Sequence, residues 1–372
     1  MTHVLHLIDA ATDETQLQTV ALLRGKMATM EGSSSVCAMD GVDRETAASL
    51  LGETPQFVPR RLLHAMNWAP NLGRMASECN PGLVHAWGID AARAAGARLK
   101  GVPMVLSILD PSQTREAAKW VRALAVGTTV VAGSQIIRSR LVTAGLPSEQ
   151  VVVIRAGVDF SAINNARRLN ERKELVGDGS PVVLMHGPAS VGGGQYFGVW
   201  AAGIVAQIHH GLRIVLPYES AESRRVQRFA SSIKMGDATM VPDRSWTWPR
   251  LLACADVFCA PAIEEISSEP LACAMASGVV VVGSAVRSIA EIIADKHNGL
   301  LCKSGDPRIL AGRILTAIED VELRRRVTDT ARGQAYEVFS VRAFAENYQR
   351  LYENVLASRA PGEGIGDTAM VA

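Results

Sequence analysis

Short apolar runs alternate with longer amphipathic stretches along this chain. Residues 4–8 form the first run, and 83–86, 104–108, 129–132 and 151–154 follow. Each is too short for a helix and almost continuously apolar, the pattern of a strand covered on both faces. Between them, 13–30, 89–100, 113–125 and 135–144 carry helical spacing. Asp13 and Gln16 stand at capping-box distance, and Gly145-Leu-Pro147 stops the last of these helices. A second series runs through 182–186, 213–216, 256–260, 279–283 and 300–302, again with helical segments between. Strand alternating with helix predicts an α/β protein with parallel sheets, in two tandem units. The polar stretch 164–180, rich in Arg, Asn and Glu, shows no strand signal and is expected to link a first domain, 1–163, to a second, 181–338. Residues 339–358 predict a terminal amphipathic helix carrying Tyr348, Leu351, Tyr352 and Leu356, and 359–372 a frayed tail.

Composition agrees with two domains. At 372 residues the chain exceeds one ordinary core. Its 48% hydrophobic and 20% charged residues are usual for a soluble globular protein. The formal charge is +1 with both signs interleaved, which speaks against a nucleic-acid partner. No apolar run approaches the roughly 20 residues needed to cross a bilayer. The first strand begins without the basic and apolar regions of a signal peptide, so the reading is cytoplasmic, with peripheral membrane association left open. Six scattered cysteines without a Cys-x2-Cys pair point away from a metal site or a disulfide framework.

The most informative segment is 261–282. Pro270 suits the first helical position and Gly278 a left-handed stop, so the segment reads as turn, small-residue helix, glycine and buried strand. Ser267, Ser268 and Glu269 offer oxygens at the helix start, beside Glu264 and Glu265. Such a terminus can hold a phosphorylated, hydroxylated ligand. Gly192, Gly193 and Gly194 precede another helix, where bare backbone N–H groups can cradle an anion or serve only a turn.

Segment 261–282 closely resembles the signature of the family 4 (group 1) retaining glycosyltransferases: Glu, seven residues, Glu, then Ala-Met-Ala-x-Gly and an apolar strand. The likeness extends to Gly82-Leu-Val-His-Ala-Trp-Gly88, Val131-Ala-Gly-Ser134, Ile154-Arg-Ala-Gly-Val-Asp159, Ala255-Asp-Val-Phe258, Glu291-Ile-Ile293 and Asn298-Gly-Leu-Leu301. It implies the GT-B fold, two facing Rossmann-like doubly wound domains. A nucleotide-sugar donor would bind mostly to the second and an unknown acceptor to the first, with the terminal helix crossing back onto the first domain. It implies transfer with retention and neither metal nor cofactor. By position, Glu265 is the first motif Glu and, with Asp110, the candidate catalytic group. Gly192, Gly193, Gly194, Ser267, Ser268, Glu269 and Arg287 are candidates for the donor and its phosphates.

Four positions depart from the family pattern. Cys273 stands at the ribose-binding Glu, and a thiol cannot accept two hydroxyl hydrogen bonds as a carboxylate does. Pro188 and Gly193 replace the phosphate-binding Arg and Lys, and Leu109 replaces a His. Arg287 could supply the missing positive charge or remain a surface residue, and His85 reads mainly as structural. Two functions stay open: an active glycosyltransferase with an unusual donor pocket, or an inactive GT-B protein that binds or scaffolds in a glycan pathway. A nicotinamide enzyme is disfavoured because no Gly-x-Gly-x-x-Gly follows the first strand.

Overall fold

The computed structural model describes residues 3–10, 12, 14–30, 32–58, 69–124, 128–178, 180–187, 189–243 and 245–358. Its first sheet holds seven parallel strands: β1 (Val4–Ile8), β2 (Ser34–Met39), β3 (Gln56–Val58), β4 (Leu83–Trp87), β5 (Met104–Ile108), β6 (Thr129–Ala132) and β7 (Val151–Val153). Their order is β3-β2-β1-β4-β5-β6-β7. The second sheet holds β8 (Val182–Met185), β9 (Arg213–Val215), β10 (Thr239–Met240), β11 (Val257–Ala260), β12 (Val280–Ser284) and β13 (Leu300–Cys302). Its order is β10-β9-β8-β11-β12-β13. Both are doubly wound α/β sheets, and the two together make the GT-B arrangement.

Burial explains the apolar runs. Val182 and Leu184 of β8 enter one core while Val183 and Met185 enter the other, so every second residue serves the opposite face. The first sheet is covered on both faces in the same way. The helix Val341–Ala357 lies against the first sheet, with Phe344, Tyr348, Leu351 and Tyr352 buried beside Val4, Ile8 and Leu17. Full burial of such side chains is worth about 1.5–3 kcal/mol each.

Three strands went unread in the sequence. β2 opens on two half-buried serines, and β3 and β10 are three and two residues long, so none presents a full apolar run. The 164–180 stretch holds no strand among its described residues. It contains the end of the helix Phe160–Leu169 and the helix Arg172–Val176, with Leu175 and Val176 buried in the second core. Asp13 and the tail 359–372 lie outside the described residues.

Candidate functional site at the second switch point

In a doubly wound sheet the crevice opens where strand order reverses, beyond the carboxyl ends of the strands. In the second sheet that point lies between β8 and β11, which are followed by His186 and Pro261. Two glycines permit the close packing there. A Cβ on Gly187 would lie 2.0 Å from Pro217 Cγ. Gly194 has φ of +71°, and a Cβ there would lie 2.0 Å from the Pro261 carbonyl oxygen. The Gly192 carbonyl accepts from the N–H groups of Ile263 (2.9 Å) and Glu264 (3.1 Å), which ties the glycine loop to the motif loop.

The glycines are less bare than their sequence suggests. Gly193 N–H donates to Ser190 Oγ at 2.9 Å, and Gly194 N–H donates to the Val191 carbonyl at 3.2 Å. The loop satisfies these two donors itself. Pro188 lies outside the described residues. What the loop leaves open is the start of the helix Gln195–Val205, whose N-cap Gly194 has no side chain to close it.

The helix Glu269–Ser277 has Pro270 in its first turn and Gly278 left-handed at φ +73°, as the sequence indicates. Neither serine caps it, contrary to the sequence reading. Ser268 at the N-cap makes no side-chain cap bond, and the Ser267 hydroxyl donates instead to the Glu269 carboxylate. Glu269 is buried and reaches toward the first domain. A Cβ on Gly133 would lie 3.6 Å from its Oε1 and 3.0 Å from Leu109 Cδ2.

Glu265 is sheltered, with 10% of its side chain exposed. Its carboxylate accepts from Ser288 N–H at 2.7 Å and Arg287 Nε at 3.1 Å, and faces Arg140 NH2 at 3.6 Å. Burial opposes its charge. The Ser288 backbone N–H and Arg287 outweigh that penalty, helped by Arg140, and hold the carboxyl below its ordinary range. Arg287 is therefore engaged by Glu265, although 69% of its own side chain is exposed.

Arg140 belongs to the first-domain helix Gln135–Thr143, so this ion pair crosses between domains. A second crossing is stronger. Glu291 accepts from the N–H groups of Gln135 (2.9 Å) and Ile136 (3.1 Å) and pairs with Arg155 at 2.6 Å. A carboxylate of one domain thus caps a helix of the other. Asp110 sits apart from this set and accepts from Ser112 N–H at 2.8 Å, capping a short 3₁₀ turn.

Cys273 is enclosed. Burial, then Glu269 and Asp159, push its thiol up to about 12, which rules out a ready thiolate. His85 is structural. Its ring nitrogens meet Tyr352 OH (2.6 Å) and Ser107 Oγ (2.7 Å) inside the first domain. His186, unnoticed in the sequence, is buried beneath the motif loop, and neither ring nitrogen has a hydrogen-bond partner among the described residues. Burial lowers its pKa to about 4, while the neighbouring Ser267 backbone pulls it slightly upward without reaching hydrogen-bonding geometry. Among the described residues, no group of three His, Cys, Asp or Glu side chains could hold a metal ion. No described helix is long and apolar enough to cross a membrane.

The family described as Glycosyl transferases group 1 matches residues 200–334, and Glycosyltransferase Family 4 matches residues 23–162. The chain belongs to the group 1/family 4 glycosyltransferases. The N-acetyl-alpha-D-glucosaminyl L-malate synthase of Bacillus anthracis is 26% identical over 151 residues, 41% of this chain and 40% of that enzyme. The structure of Anabaena Alr3699/HepE in complex with UDP and glucose superposes with a TM-score of 0.78 at 17% identity, covering 95% of this chain and 100% of that one. WaaG, a glycosyltransferase involved in lipopolysaccharide biosynthesis, gives 0.72 at 15% identity, covering 94% and 99%. At such identities the two structures speak for the fold alone.

Proposed function

We propose that the protein transfers a sugar, with retention, from a nucleotide-sugar donor to an acceptor hydroxyl. One observation carries this reading: two helix starts without a side-chain cap, at Gly194 and Ser268, flank the loop that holds Glu265. The dipoles of these two helix starts suit the donor's diphosphate and partly replace the absent Arg and Lys. Glu265, kept ionised, would accept hydrogen bonds from sugar hydroxyls and stabilise positive charge developing at the anomeric carbon. Arg287 would shift from Glu265 toward the departing diphosphate. Asp110 remains a candidate on the acceptor side. The related Anabaena protein was captured with UDP and glucose, which supports the donor class proposed here. The chemistry assigns no role to a metal or cofactor. The reading includes a cytoplasmic location, with peripheral membrane association if the acceptor is a lipid.

Calorimetric titration with UDP-, GDP- and ADP-sugars tests the donor, and NMR of the product's anomeric configuration tests retention. Micromolar binding of one donor, and turnover lost in Glu265→Ala with an intact fold, are expected. No binding by any donor would favour the second reading, an inactive GT-B scaffold. That reading draws on Cys273 and on the Gly193 and Gly194 N–H groups spent within their own loop.

A further inference from the structure

The helix Gln195–Val205 carries no charged residue. Its inner side, with Val199, Ala201, Ala202 and Val205, is buried in the core of the second sheet. Its outer side is apolar too. Trp200 is 50% exposed, Ile204 one turn on is also exposed, and Ile208 in the turn that follows is 59% exposed. A helix that is apolar all round is ordinarily covered all round, and here the outer ridge stays open among the described residues. The helices Ala221–Ser232 and Pro307–Glu319 flank it and share the same core, so the three form one layer on the sheet face opposite the helix Glu269–Ser277. Ile309 of the second flanking helix is exposed as well. The flanks are basic: together they carry five Arg against two Glu. An open depression on the first flank is lined by Ala221, Arg224, Arg225, Gln227, Arg228 and Ser231. Arg224 and Arg225 reach Glu219 (2.7 Å) and Glu222 (3.3 Å), while Arg228 pairs with no carboxylate among the described residues.

We infer that this layer docks the protein on an anionic lipid bilayer, with Trp200, Ile204 and Ile208 entering the headgroup region and the arginines of the helix Ala221–Ser232 meeting lipid phosphates. The apolar ridge gains by leaving water. A half-exposed indole suits the headgroup level, where its ring is buried and its N–H stays wet. Arginine binds phosphate oxygens two at a time, and basic residues are drawn to a surface rich in anionic lipid. The sign of the charge chooses the occupant. A second copy would bring up the same ridge with the same surplus of arginine, so its flanks would repel. A bilayer brings the opposite sign around an apolar interior. Docking uses none of the donor-site candidates, so the inference stands whether or not the protein is catalytic and whatever its acceptor.

Flotation of the full chain with vesicles tests this, using phosphatidylcholine alone and an equal mixture of phosphatidylcholine and phosphatidylglycerol. The mixed vesicles are expected to bind about tenfold more tightly, with the advantage shrinking as salt is added. Arg224→Glu combined with Arg228→Glu is expected to lower that affinity about tenfold, and Trp200→Ser combined with Ile208→Ser likewise, each with an unchanged circular dichroism spectrum. Trp200→Phe gives a separate readout, since Trp87 and Trp248 are buried. Brominated lipid is expected to quench tryptophan emission in the native protein, and most of that quenching to vanish in the variant. No binding to the mixed vesicles, equal binding to the neutral ones, undiminished binding by either paired variant, or quenching that survives Trp200→Phe overturns the inference. So does a dimer in light scattering that the paired serine variant dissolves, which would give the ridge to a second copy. Nucleotide-sugar binding, measured without vesicles, tests the catalytic reading separately.

Discussion

The two sheets open similar crevices and fill them differently. In the first sheet strand order reverses between β1 and β4, and the helix Ile89–Arg98 starts there. Its donors are taken: Asp90 N–H donates to Asp9 Oδ2 at 2.7 Å, and Ile89 N–H to Gln113 Oε1 at 3.3 Å. Gly88, with φ of +101°, lets Asp9 approach so closely that a Cβ would lie 2.6 Å from its carboxyl. Behind it, Tyr348 OH lies 2.8 Å from Ser107 Oγ and extends the His85 network. A protein carboxylate already occupies the place where a ligand anion would sit. The second crevice has two helix starts with no side-chain cap and an imidazole whose ring nitrogens have no hydrogen-bond partner among the described residues. Unmet polar groups, rather than glycine content, distinguish a crevice kept for a ligand from one closed for stability.

The largest expected effect comes from closing the open crevice by force. Gly194→Val places a branched side chain at left-handed φ against the Pro261 carbonyl, and should cost about 3–5 kcal/mol in urea unfolding from backbone strain and overpacking together. Acid separates the two crevices next. The folded pKa of His186, about 4, lies below the ordinary histidine value, so stability is fully present above about pH 6.5. It declines as pH falls toward 4 because the unfolded chain takes up the proton first, by on the order of 3 kcal/mol. His186→Leu should remove that share of the acid sensitivity and leave the part due to His6, lowered to about 3, and His85 in the first domain. Glu291→Gln should cost about 1.5–3 kcal/mol, the range of a charged hydrogen bond, seen as a lower melting temperature. Tyr348→Phe should cost about 1 kcal/mol, since a hydroxyl that only satisfies the closed crevice is lost.

Much of this arrangement is legible in the sequence because it is local. The long apolar strands, Pro270 and Gly278 announce themselves through period and turn chemistry, and the order of the glycosyltransferase-like blocks carries the domain pairing. The cross-domain contacts are not local. Glu291 meets the Gln135 N–H from 156 positions away, and nothing near either residue signals the other. Glu291 did stand in a block shared with the family, which marks the position without giving it a task. The assignment of Ser267 and Ser268 as caps failed for a related reason. Cap preference describes what a side chain can do, and here Glu269 takes the Ser267 hydroxyl instead. His186 escaped notice because an imidazole at a strand end resembles any buried polar residue until its missing partners are seen.

The central claim is that the second crevice is the one left open for an anion, and it can be tested by making that crevice resemble the first. Ser268→Asp would put a carboxylate at the N-cap of the helix Glu269–Ser277, the service Asp9 performs for the helix Ile89–Arg98. Calorimetric titration of the native protein and this variant with the best-binding nucleotide sugar should give micromolar affinity in the first and at least a tenfold loss in the second, with the melting temperature unchanged or raised. Equal affinity in the two proteins would contradict the account.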